Sequence, residues 1–65
     1  MKSISDGDLV RVTGDVRNDA AIKAGDIGSV ARHEVVDGVA LYDVYVEGKG
    51  EARISEELLE VVSQQ

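Results

Sequence analysis

The chain has no cysteine, proline, tryptophan or phenylalanine, and only one histidine and two tyrosines among its 65 residues. Without cysteine there are no disulfides, no thiolate metal ligands and no thiol nucleophile. Nothing therefore marks an oxidising compartment. With His33 as the sole imidazole, Ser3, Ser5, Ser29, Ser55 and Ser63 have no plausible triad context. A groove for polyproline helices needs aromatic walls. Strand alternation places Tyr42 and Tyr45 on opposite faces, so such a groove is not expected. No apolar run approaches the roughly 20 residues of a membrane span. Met1-Lys2-Ser3-Ile4-Ser5-Asp6 lacks the apolar core of a signal peptide, and cytoplasm is the expected location.

Positive charge is also scarce. Seven Lys and Arg face thirteen Asp and Glu, a net charge of −6. Gripping phosphates takes clustered basic residues. Here Lys2, Arg11, Arg17, Lys23, Arg32, Lys49 and Arg53 are spread singly, each close to an acid. Neither nucleic acid nor an anionic membrane is an expected partner. A basic protein surface is the better electrostatic match.

What the chain does have is valine, eleven in all, in short runs bounded by glycine turns. β-Branched enrichment in such runs predicts an all-β domain. A chain this short buries only about 60% of its unfolded surface, so it forms one domain, residues 1–65, of modest stability. Asp37-Gly38 between Val35-Val36 and Val39-Ala40-Leu41 is a strong hairpin signal, because a type I′ turn needs positive φ at both central residues. Glu47-Gly48-Lys49-Gly50-Glu51 makes a second reversal. Together they predict a three-stranded antiparallel meander over residues 26–54.

Ahead of the meander, residues 9–13 alternate, with Val10 and Val12 on one face, and predict a first strand. Residues 14–25 predict a long loop with room for one helical turn, packing Val16 and Ile22 on the core and ending at Gly25 with positive φ. Gly28, inside the second strand, predicts a bend, bulge or close backbone approach. In the third strand Tyr42, Val44 and Val46 are expected to face the core, with Leu41, Asp43 and Tyr45 outward. Ala52 and Ile54 point inward in the fourth strand. Ser55-Glu56-Glu57-Leu58 reads as a 3₁₀ turn in which Ser55 can cap, and residues 59–62 form a last short strand. This order is that of an SH3-like small β-barrel of about five strands.

No residue cluster carries chemistry by itself. His33 lies between Arg32 and Glu34 on an alternating strand and reads as a surface residue. Asp6, Asp8 and Glu57 have room to meet at one end of the barrel, but no metal-ligand spacing or Ca²⁺ loop pattern is present. Gly25 and Gly28 precede no helix and do not make a phosphate loop. The expectation is a non-enzyme with no catalytic residues, no metal and no cofactor. Two surfaces are candidate partner contacts. One is the 14–25 loop with Arg17, Asn18 and Asp19; the other is the outward sheet face with Tyr45 and Arg53, joined by Leu41 and Arg32.

Several stretches resemble the nitrogen-fixation protein family NifZ. They are Gly7-Asp8-Leu9-Val10-Arg11-Val12-Thr13, Val16-Arg17-Asn18-Asp19, Ala24-Gly25-Asp26-Ile27-Gly28-Ser29-Val30, Tyr42-Asp43-Val44-Tyr45-Val46 and Arg53-Ile54-Ser55-Glu56-Glu57-Leu58. The resemblance implies a non-catalytic accessory protein that binds an immature nitrogenase and helps mature its metallocluster. Ala52 stands where that family often carries a cysteine, so the likeness implies docking rather than cluster ligation. The chain is also similar to small SH3-like subunits of ferredoxin-linked photosynthetic complexes, which implies instead a structural subunit of an electron-transfer complex. Lys23 to Val30 matches uncharacterised bacterial SH3-like domains.

Overall fold

The computed structural model describes residues 4–17 and 21–63. Five antiparallel strands form one sheet: β1 (Leu9–Val12), β2 (Ile27–Val36), β3 (Val39–Val46), β4 (Gly50–Ser55) and β5 (Leu59–Ser63). A 3₁₀ turn, Glu56–Leu58, precedes β5. The spatial order is β4-β3-β2-β1-β5. Strand, long loop, three-stranded meander, 3₁₀ turn and final strand therefore follow as the alternation predicts. Barrel closure does not follow. Among the described residues no ladder joins β4 to β5, and these two strands are the edges of an open sheet. They are consecutive in the chain and linked by three residues, so the sheet must curl to bring their near ends together. No helix among the described residues is long and apolar enough to cross a membrane.

The two turn signals behave as their chemistry requires. Asp37 and Gly38 have φ of 52° and 79°, the positive pair of a type I′ hairpin. Gly25 closes the long loop at φ 98°. That loop is pinned at both ends by Gly25 N–H donating to Val12 O (2.7 Å) and Val12 N–H donating to Asp26 O (2.8 Å). Its described residues contain no helical turn. Two anchors hold it instead, Val16 and Ile22, both buried in the core.

The inner face of the sheet supplies most of the core: Val10, Val12, Val30, Tyr42, Val44, Val46, Ala52, Ile54 and Leu59. These are the positions that period-two alternation assigns inward. Ile4 joins them from the lead-in, which is bound to β2 by Gly7 N–H to Val30 O and Val30 N–H to Asp8 O. Gly28 sits where β2 passes hard against β3. A Cβ there would lie 2.5 Å from the Tyr45 carbonyl oxygen and 2.7 Å from Val44 Cγ1. Just beyond it the β2–β3 register shifts between Val30 and Arg32, leaving Ala31 as the extra residue of a bulge. Glycine and bulge together let β2 turn sharply enough to pair with both β1 and β3. Ser55 makes no side-chain cap for the 3₁₀ turn; its hydroxyl donates to Glu57 at 3.2 Å.

Candidate functional site

The outer face of β2-β3-β4 is organised around a buried carboxylate. Asp43 points away from the core, as alternation predicts, yet its side chain is only 8% exposed. Two arginines cover it. In the register Asp43 stands opposite Arg32 on β2 and opposite Arg53 on β4. Arg32 Nε lies 2.7 Å from Oδ2, and Arg53 Nε donates to Oδ1 at 3.0 Å. The guanidinium groups reach onward, Arg32 to Glu51 (3.0 Å) and Arg53 to Glu34 (2.7 Å). Glu34, Arg53, Asp43, Arg32 and Glu51 thus form a continuous network across three strands.

The Arg53 hydrogen bond and the two positive charges hold the Asp43 carboxyl below the usual carboxylate range. Asp43 and Glu34 in turn push Arg53 up. The sign of the linkage follows. A folded-state pKa below the unfolded value adds stability that is present above the unfolded pKa of about 4 and disappears as pH falls through the folded value. Asp43→Asn should therefore cost about 2 kcal/mol at pH 7, the worth of charge-assisted hydrogen bonds. The gap to the parent should close as the solution is acidified below about pH 4. Urea melts at pH 7 and pH 3 check this; a gap of equal size at both would show that charge is not the cause. Asp26 carries a shift of the same sign, chiefly from the Lys49 ammonium at 2.7 Å and then the Lys23 backbone N–H.

A shallow open groove lies beside this network. Its floor is apolar: Val16 from the long loop, Leu41 from β3, Ile54 from β4 and Leu58 from the 3₁₀ turn. Asp15, Arg17, Arg53 and Glu57 stand at its rim. The loop reaches this position because Val16 and Ile22 are anchored in the core. Arg17 is exposed and forms no ion pair with another described residue, whereas the Arg53 guanidinium is already committed to Asp43 and Glu34.

The sequence-predicted contact residues divide between two places. Arg17 and Arg53 meet at the groove, and Leu41 is in its floor. Tyr45 is 47% exposed on the outer face, opposite Ser29 and Glu51, with the Asp43 network between it and Leu41. The single surface expected for Tyr45, Leu41 and Arg53 is thereby split. Asn18 and Asp19 lie outside the described residues. Alternation overlooked Leu9 and Ile27, both exposed on the outer face near Tyr45; their odd positions in β1 and β2 were the available signal, but their neighbours depend on register.

Comparison with known protein families, with curated proteins and with solved structures returns no match.

No buried side-chain nitrogen or oxygen among the described residues lacks a hydrogen-bond partner. His33 Nδ1 is 2.8 Å from Asp6 Oδ1, and its ring lies 5.8 Å from that of Tyr42. Burial pushes the Tyr42 phenol up, and the Glu56 and Asp6 carboxylates act in the same direction. Asp8 accepts from Ser5 N–H at 2.8 Å. Asp6, Asp8 and Glu57 thus each have a separate partner. Among the described residues no three His, Cys, Asp or Glu side chains group as metal ligands.

Proposed function

We propose that the chain is a non-catalytic docking module that serves a larger enzyme as an accessory or assembly factor in the cytoplasm. The setting its sequence resembles is nitrogenase maturation in the manner of NifZ. The observation that carries the reading is the groove. Three segments far apart in sequence, residues 15–17 of the loop, Leu41 of β3 and the β4–3₁₀ corner, build one open depression with an apolar floor and a charged rim. Aliphatic area at the centre of a patch with charges around it is the anatomy of a protein contact. An open groove suits a segment of another protein better than it suits a small molecule, which needs enclosure. Arg17, free of described ion pairs, is the rim residue best placed to choose the partner.

The test is a pull-down at low salt, repeated with Arg17→Glu. Recovery of one metalloenzyme component by the parent, weakened about tenfold in the variant, supports the reading. Stoichiometric recovery that survives high salt would instead favour a permanent small subunit of an electron-transfer complex, because screening removes rim electrostatics and leaves a large interface intact. Equal recovery by parent and variant would remove the groove from the proposal.

A further inference from the structure

The β2–β3 hairpin runs past the rest of the sheet. The β4 ladder ends at Ser55 opposite Leu41, and on the other side the last backbone bonds to β2 are those of Gly7 and Asp8 with Val30. Within the sheet, residues 35–40 pair only with each other. Alternation puts Val35 on one face of this two-stranded ribbon and the facing pair Val36 and Val39 on the other. Val35 is 64%, Val36 41% and Val39 49% exposed, so neither face is covered. Single exposed apolar residues are ordinary, but here they crowd the end of one projecting arm. Asp37 stands at its apex, exposed and in no ion pair with a described residue.

We propose that the hairpin tip of one copy of the chain seats in the groove of a second copy. A flat surface covers one face of such a ribbon, whereas a groove covers both. The groove between residues 15–17 and the β4–3₁₀ corner has the matching apolar floor, Val16, Leu41, Ile54 and Leu58. The tip cannot turn back into its own groove. Leu41, in the floor, is two residues from Val39 along the same strand, about 7 Å away, and the type I′ turn fixes the direction of the ribbon.

Charge matches the same two parts. Residues 35–40 carry Asp37 and no cation. The groove rim carries two acids, Asp15 and Glu57, and two arginines. Arg53 is already answered by Asp43 and Glu34, which leaves Arg17 as the rim cation with no described ion pair. Asp37 of the entering tip therefore comes in on the Arg17 side, away from Asp15 and Glu57. A hairpin tip buries less than the roughly 800 Å² that each partner gives to a stable interface, so the contact is weak and appears near about 1 mM. Each copy offers one tip and one groove, and the contact either closes about a two-fold or continues head to tail. The inference rests on reading the groove as a docking site and adds its regulation: a copy's tip occupies the groove until a partner displaces it.

Sedimentation equilibrium of the full chain alone tests this. The parent mass should rise above 6.9 kDa as concentration approaches about 1 mM. Two variants separate tip from groove. Val36→Thr with Val39→Thr removes the apolar tip while keeping β-branched side chains; Arg17→Glu sets a like charge against Asp37. Each should weaken self-association about tenfold, with an unchanged far-UV spectrum to show that the fold persists. Mixed in equal amounts, the two should associate again, because the Arg17→Glu chain still has its tip and the double variant still has its groove. The mixture should approach twice 6.9 kDa and go no higher. A parent mass of 6.9 kDa at every concentration, variants that associate as well as the parent, or a mixture no heavier than its components would each overturn the proposal. No cellular partner enters these measurements, so a negative result leaves the docking of another protein standing, and a failed pull-down leaves self-association standing.

Discussion

Gly28→Ala should lower the melting temperature by roughly 12–24 °C, the equivalent of about 3 kcal/mol in a domain of this size. The cause is steric clash, not backbone handedness. The added Cβ would lie 2.5 Å from the Tyr45 carbonyl oxygen and 3.0 Å from its carbon, both main-chain atoms that no rotamer change can move. Either β2 lifts off β3 or the Ser29–Tyr45 and Val30–Val44 pairings break. Those pairings sit over Val30 and Val44, which are almost wholly buried, so the shift opens the centre of the core. Gly14→Ala is the matched control. Its Cβ would meet only the tip of the Leu58 side chain at 3.0 Å, which can rotate away. Its effect should stay within about 1 kcal/mol. Thermal melts followed by circular dichroism decide it. Equal melting temperatures for the two variants would mean that the Gly28 crossing relaxes at little cost.

Leu59→Ala should be the other large loss, about 2–5 kcal/mol in urea unfolding. A domain of this length has roughly 3–10 kcal/mol in total, so a large fraction of the variant is expected to be unfolded at 37 °C. Leu59 is fully buried and opens β5, opposite Val12. Among the described residues β5 is an edge strand whose ladder runs to β1 only, so its first side chain is a main anchor of the strand. A void left there has no neighbouring strand on the far side to collapse into it. Leu58→Ala, one residue earlier and only partly buried against the core, should cost about 1 kcal/mol. A Leu59→Ala loss no larger than that of Leu58→Ala would show that β5 is dispensable to the core.

Both variants act on features read with different ease from the sequence. Leu59, Val10, Val44 and Ile54 declare themselves inward by alternation, because a strand has only two faces and a period of two. Gly28 declares a special backbone position, since a glycine amid β-branched residues has no other reason to be there. What it approaches is a matter of pairing, and Tyr45 is seventeen positions away. Asp43 shows the limit more sharply. An acid on the outer side of a strand reads as solvated. Only the register that puts Arg32 and Arg53 on either side of it turns that residue into the buried centre of an ion-pair network. Tyr45 and Leu41 likewise share a face by alternation, yet they belong to different surfaces because the same network stands between them.

The amino-acid sequence by itself therefore determined the class of fold, the order of elements, the two reversals and most of the core, because these depend on near neighbours and on the strand period. It also bounded the chemistry, through the missing cysteine, the single histidine and the scattered cations. Tertiary structure decided which faces meet. The openness of the seam between β4 and β5, the groove shared by the 14–17 loop and the 3₁₀ corner, and the cluster of Leu9, Ile27 and Tyr45 around Ser29 all arise from strand register and sheet curl. Those are set by long-range pairing and packing, which no local pattern of residues encodes.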